Sequence, residues 1–559
     1  MTPRYPLLAL VAFGCLSCSS GQPAASTSTA PAPATQPSTT AGPATGLSSA
    51  ERSVFEGVSE QTIRSVTTTL ASREMEGRGT ATAGGEKAAR WLADRWRALG
   101  LAPAGESGNF LQPIRFIGSV ASSSSQIRAG SATLSLGTDF VPYLNPSTDS
   151  LDITGPVLFV SYGVQSKALN RDDFAGVDPS GKIVVLLAGK PQAADSATWA
   201  ANAGVQRAIP VLLGRGAKAI LLANVGTPLQ SYETIAGYLT RRRVILDPGG
   251  TAPQTGPVLA FLSEQGAGKL WSAANLDFAE SKRKADAGEA ASRALSSTAT
   301  VALRFTRDRG VGSNVAGVLR GSDPSLAEEA VLYTAHYDAF GLGADGKLYP
   351  GAADNALGVA MITAVAEAMS KLPQKPRRSV VFLAVTGEEH GLFGAEYWAA
   401  HPTWPLAKVA ADINLDGIGT ETYGAVEGVV GWGSEHSSLG PLLRVVTEET
   451  GNKIQQDPFP EENVFVRSDH YALVKAGVPA IMLIGVPADT TWPQRAKTWL
   501  SGPYHQPADS IRSDWNWTGP RELAGVSAAL GVRIANADSM PAWYPLSPFN
   551  KPRGGSATP

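Results

Sequence analysis

The sequence predicts an α/β fold, a mixed, largely parallel sheet flanked by helices, preceded along the chain by a β-rich block. Three observations predict it. After residue 310, strand-like apolar runs alternate with helical ones. Before residue 100 the chain shows helical spacing. Between the two, from about 117 to 302, short apolar runs are separated by Gly, Pro, Asn and Asp, the punctuation of strands and turns.

The elements follow in order. Residues 59–100 are expected to be helical, ending at Gly100 as a C-cap. The β-rich block has buried-strand runs at Val157–Val160, Ile183–Leu187 and Ala219–Ala223. Within it, Gly176 to Lys182 imitates a phosphate loop but is followed by Ile183 where Ser or Thr is needed. It also precedes its strand, so it is read as a turn. Then come Ala330–Thr334 (strand), 354–371 (helix), Val380–Val385 (strand), 391–400 (helix), Val409–Leu415 (strand) and the apolar run Ala480–Ile484.

Composition narrows the function classes. The chain has 559 residues, 43% hydrophobic and 17% charged, enough to bury a sizeable core. Its net charge of -2 suggests neither a nucleic-acid protein nor an acidic solvating one. The two cysteines, Cys15 and Cys18, lie too near the N-terminus for a core disulfide or a thiolate metal site. Residues 1–17 read as an export signal, with Arg4 before the apolar run Leu7–Leu16, and 19–45 contain only Ser, Gly, Gln, Pro, Ala and Thr, a flexible tether. A cysteine between signal and tether resembles a bacterial lipoprotein, anchored through Cys18 or, on a weaker box, Cys15. The expected address is therefore an exported bacterial protein, in the cell envelope or secreted, touching a membrane only through that lipid.

The chemistry stands at strand exits. Ala330–Thr334 leads into Ala335-His336-Tyr337-Asp338, where residues two apart share a face and Asp338 can accept from one ring nitrogen of His336. Small residues surround Asp354 in Gly351–Gly358. Val380–Val385 runs into the adjacent carboxylates Glu388 and Glu389, an arrangement a divalent metal would justify: one acid ligates while its neighbour takes a proton from water. Asp416 follows the next strand, and His505, with Asp509 as an acceptor for it, comes after the last. Open α/β sheets place their sites at such exits. Imidazole and carboxylate without thiolate suit zinc with open positions, though cobalt or manganese would also fit.

These residues resemble the co-catalytic zinc exopeptidases that include secreted bacterial leucyl aminopeptidases, glutamate carboxypeptidase II and glutaminyl cyclases. The strings are AHYD, GAADNALG, TGEEHGLFGAEYW, NLDG, RSDHYALVKAGVPAIML and YHQPADS, in the family's order. GKIVVLLAGKP and GRGAKAILLANVG are similar to a protease-associated (PA) domain. The resemblance implies domains at 46–117 plus 303–545 (peptidase) and 118–302 (inserted PA-like), after a signal at 1–18 and a linker at 19–45, with a flexible tail at 546–559. It implies two zinc ions bridged by Asp354, one completed by His336 and Asp416, the other by Glu389 and His505. It makes Glu388 the general base and then the acid, Asp338 the residue that orients His336, and Tyr504 a stabiliser of the oxyanion. Ser468-Asp469-His470 falls in the substrate cleft. Ala339 and Ala353 stand where many members have His and Asp, neither a ligand.

The implied activity is an aminopeptidase acting on peptides. A carboxypeptidase or dipeptidase, a glutaminyl cyclase, and a receptor-like binding protein are the alternatives, the last opposed by the complete ligand set. The remaining features read as structure: His390 as a turn residue, His401 and His436 as surface residues, Trp515 and Trp517 as packing at strand spacing, and Arg241-Arg242-Arg243 as a solvated face of the insert.

Overall fold

A computed structural model describes residues 46–143, 149–224, 231–249, 258–343, 346–417, 419–458 and 464–554. The expected signal, lipid cysteine and tether lie outside them. Two compact units emerge. One comprises Ser119–Thr240 and Thr251–Arg307, the other Gly46–Gly118, Arg241–Gly250 and Asp308–Pro559. The chain therefore leaves the first unit for ten residues, 241–250, that belong to the second.

In the second unit the central strands are β1 (Ala330–His336), β2 (Ser379–Val385), β3 (Val409–Leu415), β4 (Val426–Trp432) and β5 (Ala480–Pro487). All but β4 are buried along their whole length, as Val/Ile/Leu/Ala-rich runs in a covered parallel sheet must be. β1 pairs in parallel with β2 on one side and β3 on the other, and β3 pairs in parallel with β5. Antiparallel pairs flank this core: Val315–Leu319 runs against β2, and β4 against β5.

This order matters for the site. The chain goes from β1 to its neighbour β2, then crosses back past β1 to reach β3. The connections diverge at the carboxyl end of β1, which opens a crevice there. Register sharpens the point. His336 sits opposite Val385, and Thr334 opposite Asn414, so Asp416 is carried level with His336.

Two helices cover the sheet, α1 (Leu357–Ser370) and α2 (Thr518–Asn536). Twelve of the fourteen residues of α1 are buried, the mark of a helix enclosed on every side. Helix Ser49–Gly57 packs on α2, and Glu60–Leu70 on α1. Helix Ala83–Ala98 ends with Gly100 left-handed at φ +83°, as its stop signal predicts.

The block expected to be β-rich is rich in strands, and helices accompany them. Strands Ser150–Phe159, Ile183–Leu187, Ala219–Ala223 and Val258–Leu262 lie in parallel. They are accompanied by helices Val205–Gly214, Tyr232–Leu239, Glu264–Ser272 and Phe278–Asp286. Those helices are two to three turns long, too short for periodicity to declare them. The tail expected to be flexible from 546 is packed as far as 554: Phe549 meets Phe465 and Trp543, and the Arg553 guanidinium donates to the Ala410 carbonyl at 3.1 Å. Trp515 and Trp517 are buried packing residues, but they precede α2 in a turn rather than forming a strand.

Candidate metal centre

His336 ends β1 and is wholly buried. Its Nε2 lies 3.1 Å from Asp354 Oδ1, 3.3 Å from Asp416 Oδ1 and 3.8 Å from Glu388 Oε2. On the other side, Asp354 Oδ2 is 3.2 Å from His505 Nε2, which is 3.2 Å from Glu389 Oε2. Two clusters of potential ligand atoms result, His336–Asp354–Asp416 and Asp354–Glu389–His505. Asp354 belongs to both and gives a different oxygen to each. All five predicted ligands are thus brought together.

Local backbone explains how. Gly387 is left-handed at φ +76°, which turns the chain sharply out of β2 into the one-turn helix Glu388–His390. The adjacent carboxylates then diverge, Glu388 toward His336 and Glu389 toward His505. Asn355 ties the Asp354 loop to the Asp416 loop: its side-chain amide donates to the Leu415 carbonyl at 3.0 Å, and its oxygen accepts from the N–H groups of Gly358 and Gly417. Gly358 is obligatory, because a Cβ there would lie 2.2 Å from both Asn355 Oδ1 and the Leu415 carbonyl.

Two supporting carboxylates act differently from expectation. The Nδ1 of His336 lies 3.2 Å from the backbone carbonyl of Asp338, while the Asp338 carboxylate stands off at 3.7 Å. That carboxylate instead accepts from the Thr80 hydroxyl at 2.7 Å and the Glu388 N–H at 3.2 Å, so Asp338 steadies the backbone of Glu388. Asp509 was expected to serve His505. It accepts from the N–H groups of Ala353 and Asp354, at 2.9 and 3.1 Å, and so holds the bridging loop.

Burial dominates the electrostatics. It pushes the carboxyls of Glu388 and Glu389 well above the usual carboxylate range and that of Asp509 up to about 7. Burial acts on Asp354 in the same direction, but the two imidazoles facing it prevail and hold it low. His336 shows the mirror image: burial would depress it, yet Asp416 and Glu388 raise it well above an ordinary histidine. Burial lowers His505. The Nε2 of His336 is buried among three carboxylates and makes no hydrogen bond of ordinary geometry. Acids and imidazoles enclosed in this way are the donor set a divalent cation such as zinc fits.

Arg78 is a component the sequence did not reveal. It is fully buried and donates to the carbonyls of Tyr337, Leu70, Pro350 and Gly351, at 2.5 to 2.8 Å. Its guanidinium offsets Asp509, Asp338, Asp354 and Glu389, although burial still draws its own pKa down to about 10. The sole hint in the sequence is its place in the small-residue string Gly77-Arg78-Gly79.

A cleft opens on the centre. Asp354, Glu388, Asp416, Arg467, Ser468 and Tyr504 line it, with Val464, Met482 and Leu500 as apolar wall. Tyr504 stacks on His505, ring centroids 3.6 Å apart. Of the expected Ser468-Asp469-His470 group, Ser468 alone is in the cleft wall; Asp469 and His470 are buried.

Other bland readings also shift. His390 is buried, and His436 packs against Phe465 and Phe549, whereas His401 is exposed. Arg241 and Arg243 are half-buried, and they donate to the carbonyls of His505 and Glu389 instead of facing solvent.

Residues 314–530 match the model of Peptidase family M28. A vacuolar membrane protease of Clavispora lusitaniae is 28% identical over 171 residues, 31% of this chain and 15% of that one. A "Probable zinc metalloprotease" of Leptosphaeria maculans is 34% identical over 115 residues, 20% of this chain and 25% of that one. The chain thus matches a quarter or less of the length of these relatives. Among solved structures, an aminopeptidase from Aneurinibacillus sp. strain AM-1 superposes with a TM-score of 0.58 at 19% identity, covering 88% of this chain and 97% of its own. At that identity the likeness is one of fold, and it is the mixed α/β fold expected.

These matches overturn the expected address. Curated relatives include vacuolar membrane proteases of yeasts, which are eukaryotic, not exported bacterial proteins. A short apolar run followed by a cysteine is a sparse pattern on which to rest an address. Among the described residues no helix is long and apolar enough to cross a membrane.

Proposed function

Since residues 314–530 match peptidase family M28, we propose that this protein is a zinc-dependent exopeptidase that removes N-terminal residues from peptides. The observation that carries the reading is the division of Asp354, one oxygen toward His336 and Asp416 and the other toward His505 and Glu389, with Glu388 beside them and outside both clusters. Zinc held by these five residues would supply Lewis acidity toward the peptide carbonyl and a water more acidic than bulk.

The chain's own groups supply the rest. Glu388 lines the cleft, and burial raises its carboxyl well above the usual carboxylate range, the direction that favours a group which both takes and returns a proton. It removes the proton of the attacking water and delivers it to the leaving amine. Burial first, and then the neighbouring acids, keep the Tyr504 hydroxyl protonated, so it can donate a hydrogen bond to the developing oxyanion. Val464, Met482 and Leu500 offer an apolar wall to a substrate side chain.

The test is a panel of free-amino peptides, their N-acetylated and C-amidated forms and an N-terminal glutaminyl peptide. Products are read by mass spectrometry with and without chelator and zinc add-back. Stepwise loss from the free amino end, stopped by acetylation and by chelation, is the expected result. A second reading draws on Arg467, whose cationic side chain in the cleft wall suits a substrate carboxylate. Cleavage stopped by C-amidation instead would favour that carboxypeptidase or dipeptidase. Loss of ammonia without cleavage would make the protein a cyclase.

A further inference from the structure

We infer that Arg241 and Arg243 are positioning residues for the second metal cluster, Asp354–Glu389–His505. They form a strap that holds two of its three ligands by their backbone carbonyls. The inference rests on the two-zinc reading above and goes beyond it, to what keeps the second site assembled.

The geometry is specific to that cluster. Arg241 Nη1 donates to the carbonyl of His505 at 2.8 Å, and Arg243 Nη1 to the carbonyl of Glu389 at 3.1 Å. The Arg241 guanidinium also covers Tyr349 at 3.9 Å and Phe340 at 4.9 Å from the ring centroids. Phe340 in turn meets the His505 ring edge-on at 4.8 Å, and Tyr504 stacks on the same ring. His505 needs this support. It is a non-glycine residue at φ +60°, a left-handed conformation that persists where surrounding contacts impose it.

The strap is itself anchored. Arg242, between the two, turns the other way and forks onto Asp308 at 2.7 to 3.2 Å, with Nη1 on the Thr80 carbonyl at 2.8 Å. Gly118 leaves the room this needs, since a Cβ there would lie 2.4 Å from the Arg242 guanidinium. Strand Arg243–Leu246 pairs with Leu111–Ala121, and Val244 is buried with Ile114 and Phe116. Outer partners of metal ligands held this firmly set ligand orientation, and their loss costs about 10–100-fold in metal affinity.

Charge alone argues the other way. Two guanidinium groups near a dication repel it, so removing them would tighten binding if Coulomb forces decided. The two effects have opposite signs, which makes the inference testable. Full-length protein, Arg241→Ala, Arg243→Ala and Arg243→Lys would be loaded with zinc and dialysed against graded chelator. Zinc per chain is read by elemental analysis, and folding by circular dichroism and thermal melting. The wild type is expected to hold two zinc ions. Each alanine variant should release one of them at about 10–100-fold lower chelator strength, with the other unchanged. Arg243→Lys, which keeps one donor and the charge, should recover part of the loss and guards against an alanine variant that fails to fold. Retention of both ions at wild-type affinity, or tighter holding of the second, overturns the strap. A wild type that holds a single zinc sinks the two-metal reading itself, and the strap with it.

Discussion

The two clusters share Asp354 and differ in what holds the rest of them. His336 ends β1 and Asp416 follows β3, strands already locked side by side in a parallel ladder. Their separation is set by backbone hydrogen bonds the sheet makes anyway. Glu389 stands on a one-turn helix beyond β2 and His505 on a left-handed loop residue, so no ladder fixes their distance. Side chains do so instead, namely Phe340, Tyr504, Arg241 and Arg243. Sites on sheet elements are stiffer than sites on turns, and local opening draws on the less supported parts first. One centre can thus contain a cluster inherited from the fold and another added to it.

The largest effect tests the residue that belongs to neither. Glu388→Gln should lower turnover by about 10²–10⁴-fold, the range of a lost general acid–base, and leave zinc content unchanged. Loss of a zinc ion along with activity would make Glu388 a ligand and merge it into the first cluster.

Next comes the shared residue. Asp354→Ala should empty both clusters, whereas Asp416→Ala should empty the first and spare the second. Each loss should exceed the roughly 10–100-fold effect of an outer partner. Elemental analysis reads both. An Asp354→Ala protein that keeps one tight zinc would show that the clusters are independent. Stepwise chelation of the wild type sharpens the same contrast: the loop-borne ion should leave first.

Arg78 supports both clusters from below and gives a stability effect. Removing a buried cation that faces Asp509, Asp338, Asp354 and Glu389 costs about 3–5 kcal/mol, because uncompensated charge stays behind. Arg78→Ala should show that loss by chemical denaturation. A loss within the noise would mean that water replaces the guanidinium.

How much of this was legible in the sequence follows the same divide. Ala330–Thr334 and Val409–Leu415 read as strands because apolar β-branched runs between turn residues are local patterns, and the ligands at their exits came with them. The supporting partners did not. Asp338 and Asp509 satisfy backbone N–H groups of turns far away in the chain, and a carboxylate in sequence does not say which donor it will meet. Arg241–Arg243 read as surface because basic residues usually are, and Arg78 carried no signal beyond its glycine neighbours, since burial beside carboxylates is created by tertiary structure alone.

The last effect, a pH slope, shows whether the centre is proton-loaded when zinc is absent. Between pH 6.5 and 8 the raised groups of the centre act in one direction. Burial holds Asp509 up at about 7 and Glu421, a buried acid that feels Asp416, at about 8, and it raises Glu388 and Glu389 well above the usual carboxylate range. His336 is raised well above 6.5 by the acids around it, against its burial. In each case the folded chain binds a proton that the unfolded chain has released, so stability falls as pH rises, by about 1.4 kcal/mol per pH unit for each such proton. His505, His390 and His470 are lowered by burial and are neutral in the fold, so they oppose the slope only at the start of the window, where their unfolded forms give up the last of their protons. Zinc-free protein should therefore unfold at lower denaturant at pH 8 than at pH 6.5. Zinc displaces those protons, so its apparent affinity should rise across the same window and the slope should flatten or reverse. Equal slopes with and without zinc would mean that the protons are held elsewhere, and that the acids of both clusters are already charged before the metal arrives.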